Sequence, residues 1–117
     1  MRILLAFCVA APVFVSLGRA QMVPVVPSDL TSADRFGVSV SVDSGYLLVG
    51  SRNDDDKGNN SGSAYLFEVP TDGGTAGYEL VKFTANNGKA LDYFGESVAL
   101  QDGIALIGAR GKDALGA

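Results

Sequence analysis

Asp34-Arg35-Phe36-Gly37-Val38-Ser39-Val40-Ser41-Val42-Asp43-Ser44-Gly45-Tyr46-Leu47-Leu48-Val49-Gly50-Ser51-Arg52-Asn53-Asp54-Asp55 returns, 58 residues on, as Asp92-Tyr93-Phe94-Gly95-Glu96-Ser97-Val98-Ala99-Leu100-Gln101-Asp102-Gly103-Ile104-Ala105-Leu106-Ile107-Gly108-Ala109-Arg110-Gly111-Lys112-Asp113. The two segments are identical at 10 of 22 positions without a gap. Chance alone gives about one or two, so the chain is built from a repeat. The exchanges keep character as well: Val42 faces Leu100, Tyr46 faces Ile104 and Val49 faces Ile107.

The pattern inside the repeat is that of β-strands. Val38, Val40 and Val42 alternate with Ser39, Ser41 and Asp43, the two-residue period of a strand. Ser44-Gly45 is a tight turn. Tyr46 to Val49 is apolar on both faces, as in a strand buried between layers. Gly50 to Gly62, rich in Asp, Asn and Gly, is a loop. Ala64 to Val69 predicts a third strand. Tyr78 to Thr84 predicts a fourth, with Glu79 and Lys82 as its polar positions. Gly-rich residues 70 to 77 connect them, and Asn86-Asn87-Gly88 is a turn. No segment beyond residue 20 carries helical periodicity with caps.

A four-stranded unit cannot bury both of its faces alone, so copies must stack. Stacking around an axis gives a β-propeller, which leaves only short, protected edges. Small residues on one face of the first strand (Gly37, Ser39 and Ser41; Gly95, Ser97 and Ala99) let neighbouring units approach closely. The fold class is therefore all-β: antiparallel four-stranded blades of a β-propeller, incomplete at about one and a half repeats.

These residues resemble the FG-GAP repeat, the integrin-α-type propeller repeat. The resemblance rests on Asp34-Arg35-Phe36-Gly37-Val38-Ser39-Val40, Leu48-Val49-Gly50-Ser51 and Gly62-Ser63-Ala64-Tyr65-Leu66-Phe67. The second copy adds Phe94 to Leu100 and Leu106-Ile107-Gly108-Ala109. It implies a propeller, an extracellular setting and ligand or cell-surface binding, and it implies no single reaction. Integrin-type repeats wrap calcium in a long acidic turn between the first two strands. Here that turn is only Asp43-Ser44-Gly45 and Gln101-Asp102-Gly103, too few ligands for a six- to eight-coordinate ion. Such propellers need about seven blades and at least four to close. The reading therefore expects a fragment of a longer chain, with several chains closing one ring as the alternative.

The first twenty residues read as a secretory signal. Arg2 precedes an apolar run from Ile3 to Val15, and Gly18 and Ala20 are small at the positions before a cut ahead of Gln21. The run is too short, and too broken by Pro12, to be a membrane span. The expected organisation is signal peptide 1–20, extended leader 21–32, repeat 33–90 and truncated repeat 91–117, in a secreted, extracellular protein. Cleavage removes Cys8, the only cysteine, along with Arg2 and Arg19. The remainder has no Cys, His or Trp, and its 7 basic against 13 acidic residues give a net charge of −6. That charge argues against nucleic acid and anionic membrane as partners. The missing His and Cys leave little for nucleophilic or general-base catalysis.

Asp54-Asp55-Asp56 are the candidate metal residues. Three adjacent carboxylates repel one another, and a calcium ion would relieve that, although a solvated acidic loop explains them too and the EF-hand spacing is absent. No cofactor is required on this reading. Asn59-Asn60-Ser61 is a glycosylation sequon if the host is eukaryotic. Arg52 and Arg110 hold equivalent positions suited to an ion pair with a loop aspartate, with contact to an anionic ligand as the weaker alternative. The function expected is a non-catalytic, protein- or glycan-binding adhesion module. The alternative is the accessory propeller of a larger secreted enzyme.

Overall fold

The computed structural model describes residues 22–70, 74 and 76–112. The signal peptide, with its cleavage site, and Asp113 lie outside them. Six strands form in chain order: β1 (Phe36–Asp43), β2 (Tyr46–Ser51), β3 (Ser63–Glu68), β4 (Tyr78–Phe83), β5 (Phe94–Gln101) and β6 (Ile104–Ala109). The described residues contain no helix. One antiparallel sheet has the order β1-β2-β3-β4, and β5-β6 form a second. The architecture is one complete four-stranded blade followed by the first half of another.

The two copies fold alike down to single dihedrals. In both, the strand pairing shifts register just after the Phe-Gly step, between Phe36 and Ser39 and between Phe94 and Ser97. Gly37 and Gly95 take φ of 89° and 87° there, a region that favours glycine. The Phe-Gly signature thus marks a β-bulge that bends the strand. The turns match as well. Ser44 and Asp102 have φ of 50° and 49°, and a glycine of positive φ follows each, as a two-residue hairpin turn requires.

Strand alternation gives the blade two different faces. Val40, Val42, Leu47, Val49, Tyr65 and Phe67 share one; Ser39, Ser41, Leu48, Gly50, Ala64 and Leu66 share the other. The first face holds the apolar core. Phe36 meets Tyr65 and Phe67 edge-on, with ring centroids 5.6 and 6.0 Å apart. The leader closes this core. Val23 and Val25, two residues apart on an extended stretch, are buried with Leu47, Val49, Tyr65, Phe67 and Val69. The Gly77 amide donates to the Pro24 carbonyl at 3.1 Å and holds the leader across the sheet. A segment that the sequence marks only as extended is therefore part of the core.

The second face receives β5. Ser39 Oγ donates to the Gly95 carbonyl at 2.8 Å, the Leu100 amide donates to Ser41 Oγ at 2.9 Å, and the Asp102 amide donates to Asp43 Oδ2 at 2.9 Å. A β-carbon on Gly50 would fall inside the Gly95 carbonyl oxygen. Gly50 is small because the neighbouring backbone crosses it. Gly50→Ala is expected to cost about 2–3 kcal/mol by forcing the two units apart. Urea unfolding measures this, and a cost under about 0.5 kcal/mol would contradict the packing.

Candidate functional site

The loop between β2 and β3 organises the most polar region of the molecule. Asp54 is buried there, and its carboxylate is fully employed. Oδ1 accepts from the Asp56 amide at 3.0 Å. Oδ2 accepts from Ser63 Oγ at 3.0 Å and lies 2.8 Å from the Tyr65 hydroxyl and 2.9 Å from Lys82 Nζ. Register explains why Lys82 arrives: it pairs with Tyr65 across β3-β4, so both side chains rise from one face. Its ammonium also meets Asp29 Oδ2 at 2.5 Å and Asp56 Oδ2 at 2.7 Å, and it lies 5.3 Å from the Tyr65 ring centre. The Tyr65 hydroxyl stands 2.9 Å from Asp29 Oδ1 and shares its single proton between Asp29 and Asp54.

Three of the carboxylates, those of Asp29, Asp54 and Asp56, converge closely enough to hold a cation. The cation among them is Lys82. Burial opposes the charge on Asp54, but hydrogen bonds from Lys82, the Asp56 amide, Tyr65 and Ser63 outweigh it and hold the carboxyl below its usual range. Asp29 is lowered in the same way, against burial, by Lys82 and Tyr65. Burial works against the Lys82 ammonium, yet Asp29, Asp56 and Asp54 raise its pKa above that of a free lysine. For Tyr65, burial, aided by the two acids, pushes the phenol well up and keeps it protonated.

The three adjacent aspartates of the sequence divide their tasks. Asp54 and Asp56 turn to Lys82, whereas Asp55 is exposed and accepts from the Asn60 amide at 2.7 Å. Lys82 Nζ pairs with all three carboxylates of the Asp29, Asp54 and Asp56 trio. The short β1-β2 turn is also committed, since Asp43 receives the Asp102 amide. Asn59 is exposed, and Ser61 of the same sequon is buried under the loop.

Arg52 forms an ion pair, but its partner is Glu96 of β5 at 3.1 Å and not a loop aspartate. Arg110 reaches the same Glu96 at 3.2 Å. The reason is local: repeat position 38 is Val in the first copy and its counterpart 96 is Glu in the second. Only the second copy offers an acid, and Arg52 crosses the interface to reach it.

Sequence reasoning missed the leader's Asp29, the role of Lys82 as shared donor to three carboxylates and the aspartates that open each repeat. Asp34 takes the Thr31 amide on its carboxylate at 2.7 Å, and Asp92 takes the Lys89 amide at 2.8 Å, three residues upstream in each case. Their carbonyls then receive the equivalent Asn53 and Gly111 amides at 3.1 and 2.9 Å. Their identity across the copies was the available signal.

Concavities border the first blade at both ends of its strands. One, about 290 Å³, is lined by Asp29, Thr31, Asp34, Asp54, Asp55 and Asp56. The other, about 510 Å³, lies at the opposite end of the strands, where exposed Tyr46 and Tyr78 stand with Glu68, Val69 and Pro70.

A blade and a half of bulged Phe-Gly hairpins defines a propeller-type repeat protein. Comparison with known families agrees: the FG-GAP repeat matches residues 20–67 and 78–117. The chain belongs to the FG-GAP repeat family. Comparisons with curated proteins and with solved structures find no match.

The Lys82 cluster sets a pH window. The lowered carboxyls add stability that is present above their unfolded value near 3.8 and is lost as pH falls through their folded values. The raised lysine contributes fully below 10.5 and loses its contribution only as pH climbs past its folded value. Urea midpoints should therefore stay level between about pH 5 and 9 and fall below about pH 4. Lys82→Met, which leaves three carboxylates without their cation, should lower the level stretch by about 1–3 kcal/mol and flatten the acid fall. An unchanged acid fall would contradict the assignment.

Proposed function

We propose that the chain is a secreted, non-catalytic binding module that holds an extracellular protein or glycan through the loops of its propeller-type blade. The observation that carries this reading is the groove of Tyr46, Tyr78, Glu68 and Pro70. Two exposed tyrosines beside a carboxylate suit ligand recognition, because aromatic faces cover sugar rings or apolar side chains while the acid accepts hydrogen bonds. In the Lys82 cluster Asp29 and Asp54 are lowered and Asp56 is held by its ion pair with Lys82, which supports a scaffold role over proton transfer. Lys82 supplies the neutralising charge, so calcium is not required there. The acidic surface disfavours nucleic acid. The second reading, an accessory propeller of a larger secreted enzyme, uses the same groove to hold substrate for a catalytic domain elsewhere.

A glycan array and a panel of extracellular-matrix proteins, both probed with the chain, test this. A ligand should be retained, and Tyr46→Ala with Tyr78→Ala should weaken it by at least about tenfold, the scale of a lost aromatic anchor. No retained ligand, or one indifferent to both tyrosines, would contradict the reading.

A further inference from the structure

The groove of Tyr46 and Tyr78 is built on one row of residues that crosses the whole blade. Asp43 of β1, Tyr46 of β2, Glu68 of β3 and Tyr78 of β4 are register partners in turn. Residues directly opposed in an antiparallel sheet project from the same face, about 5 Å apart. Strand pairing alone therefore sets Glu68 between two tyrosines. All three side chains are exposed, Tyr46 at 42% and Tyr78 at 67%.

The charge at the centre of this row is unanswered. Asp43 accepts from the Asp102 amide at 2.9 Å, and Glu79, next to Tyr78, accepts from the Ser28 amide at 2.7 Å. The Glu68 carboxylate has no hydrogen-bond or ion-pair partner among the described residues, and none of the described residues that line the groove is basic. The strand itself does not need this chemistry. In the second copy the counterpart of Tyr46 is Ile104 and that of Asp43 is Gln101, on a hairpin of the same register. The hairpin of the second copy also leaves the row open: its turn sits on Asp43, and Tyr46 beside it stays exposed.

We infer that the Tyr46-Glu68-Tyr78 row binds an arginine side chain of a protein ligand. This rests on the groove proposed above as the ligand site and names which of its two ligand classes enters. A guanidinium is planar, always charged and weakly hydrated. One fork of it can bond both oxygens of Glu68 while its faces meet the tyrosine rings. A lysine ammonium is a compact point charge that holds its water more strongly. A sugar hydroxyl is donor and acceptor at once, and the described lining offers no amide or basic side chain to answer its acceptor side. The net charge of −4 draws a basic partner to the surface.

NMR titration of the chain with a blocked tripeptide, arginine between two glycines, tests the inference. Lysine and citrulline versions serve as controls, citrulline having the shape of arginine without its charge. The arginine peptide should shift the Tyr46 and Tyr78 ring signals with a Kd on the order of millimolar, as suits one side chain. The lysine peptide should bind several-fold more weakly, and the citrulline peptide should leave the rings unmoved. Glu68→Gln keeps the side-chain shape and should weaken the arginine peptide by about tenfold. Tyr46→Ile installs the residue that the second copy carries in the same register, so the blade is retained, and should weaken it by about fivefold. Citrulline binding as tightly as arginine, or indifference to Glu68→Gln, would overturn the inference. So would shifts at the Asp29-Asp54-Asp56 cluster in place of the tyrosine rings. A glycan held through both tyrosines but indifferent to Glu68→Gln would overturn it while leaving the groove as the ligand site. Rings that neither the arginine peptide nor any retained ligand moves would overturn both readings.

Discussion

Everything in this structure depends on one close approach: the bulged Phe-Gly strand of the second copy lying across the small-residue face of the first. The Gly95 carbonyl settles over Gly50 and accepts from Ser39, and no larger residue at position 50 leaves room for it. A four-stranded sheet has two faces and one leader, and the leader reaches only one of them. Without β5, Leu48 and Ala64 would face water, and the blade would lose the burial that stabilises a small sheet. The polar bonds along the contact set its register and direction. The apolar burial supplies most of its free energy.

The polar cluster has a similar logic. Lys82 connects three segments distant in sequence: the leader through Asp29, the β2-β3 loop through Asp54 and Asp56, and its own strand. A buried carboxylate such as Asp54 is tolerable only with partners at both oxygens; the loop provides one, β3 two and β4 one. The loop is consequently fixed from inside. It presents its ordered edge, residues 59–61, to the backbone of residues 91–94 that leads into β5. Ion pairing, loop order and interblade packing are thereby linked.

Most of the fold was legible in the sequence because strand periodicity is local. Val38 to Val42 alternates, Ser44-Gly45 turns, and the same pattern returns 58 residues later. The small residues Ser39 and Ser41 announced a close neighbour, and β5 is that neighbour. The leader was legible only as extended. Val23 and Val25 are too few to reveal a period, and what buries them is tertiary. The candidate site was less legible still. Three consecutive aspartates point in alternating directions, so their shared sign suggested a metal. Their cationic partner, Lys82, lies 26 residues or more away and is set opposite Tyr65 only by strand register. Arg52 was read correctly as an ion-pairing residue, but the partner depended on a single exchange between copies, Val38 for Glu96.

The Leu100 amide tests the central contact most directly. It belongs to the second copy yet donates to Ser41 Oγ of the first, so its protection from exchange with solvent reports that interface. Amide hydrogen exchange followed by NMR should find it as slow as the amides of β2 and β3, and Ser41→Ala should speed it selectively. Exchange at the rate of an exposed amide in the wild-type chain would mean that the second copy does not rest on the first.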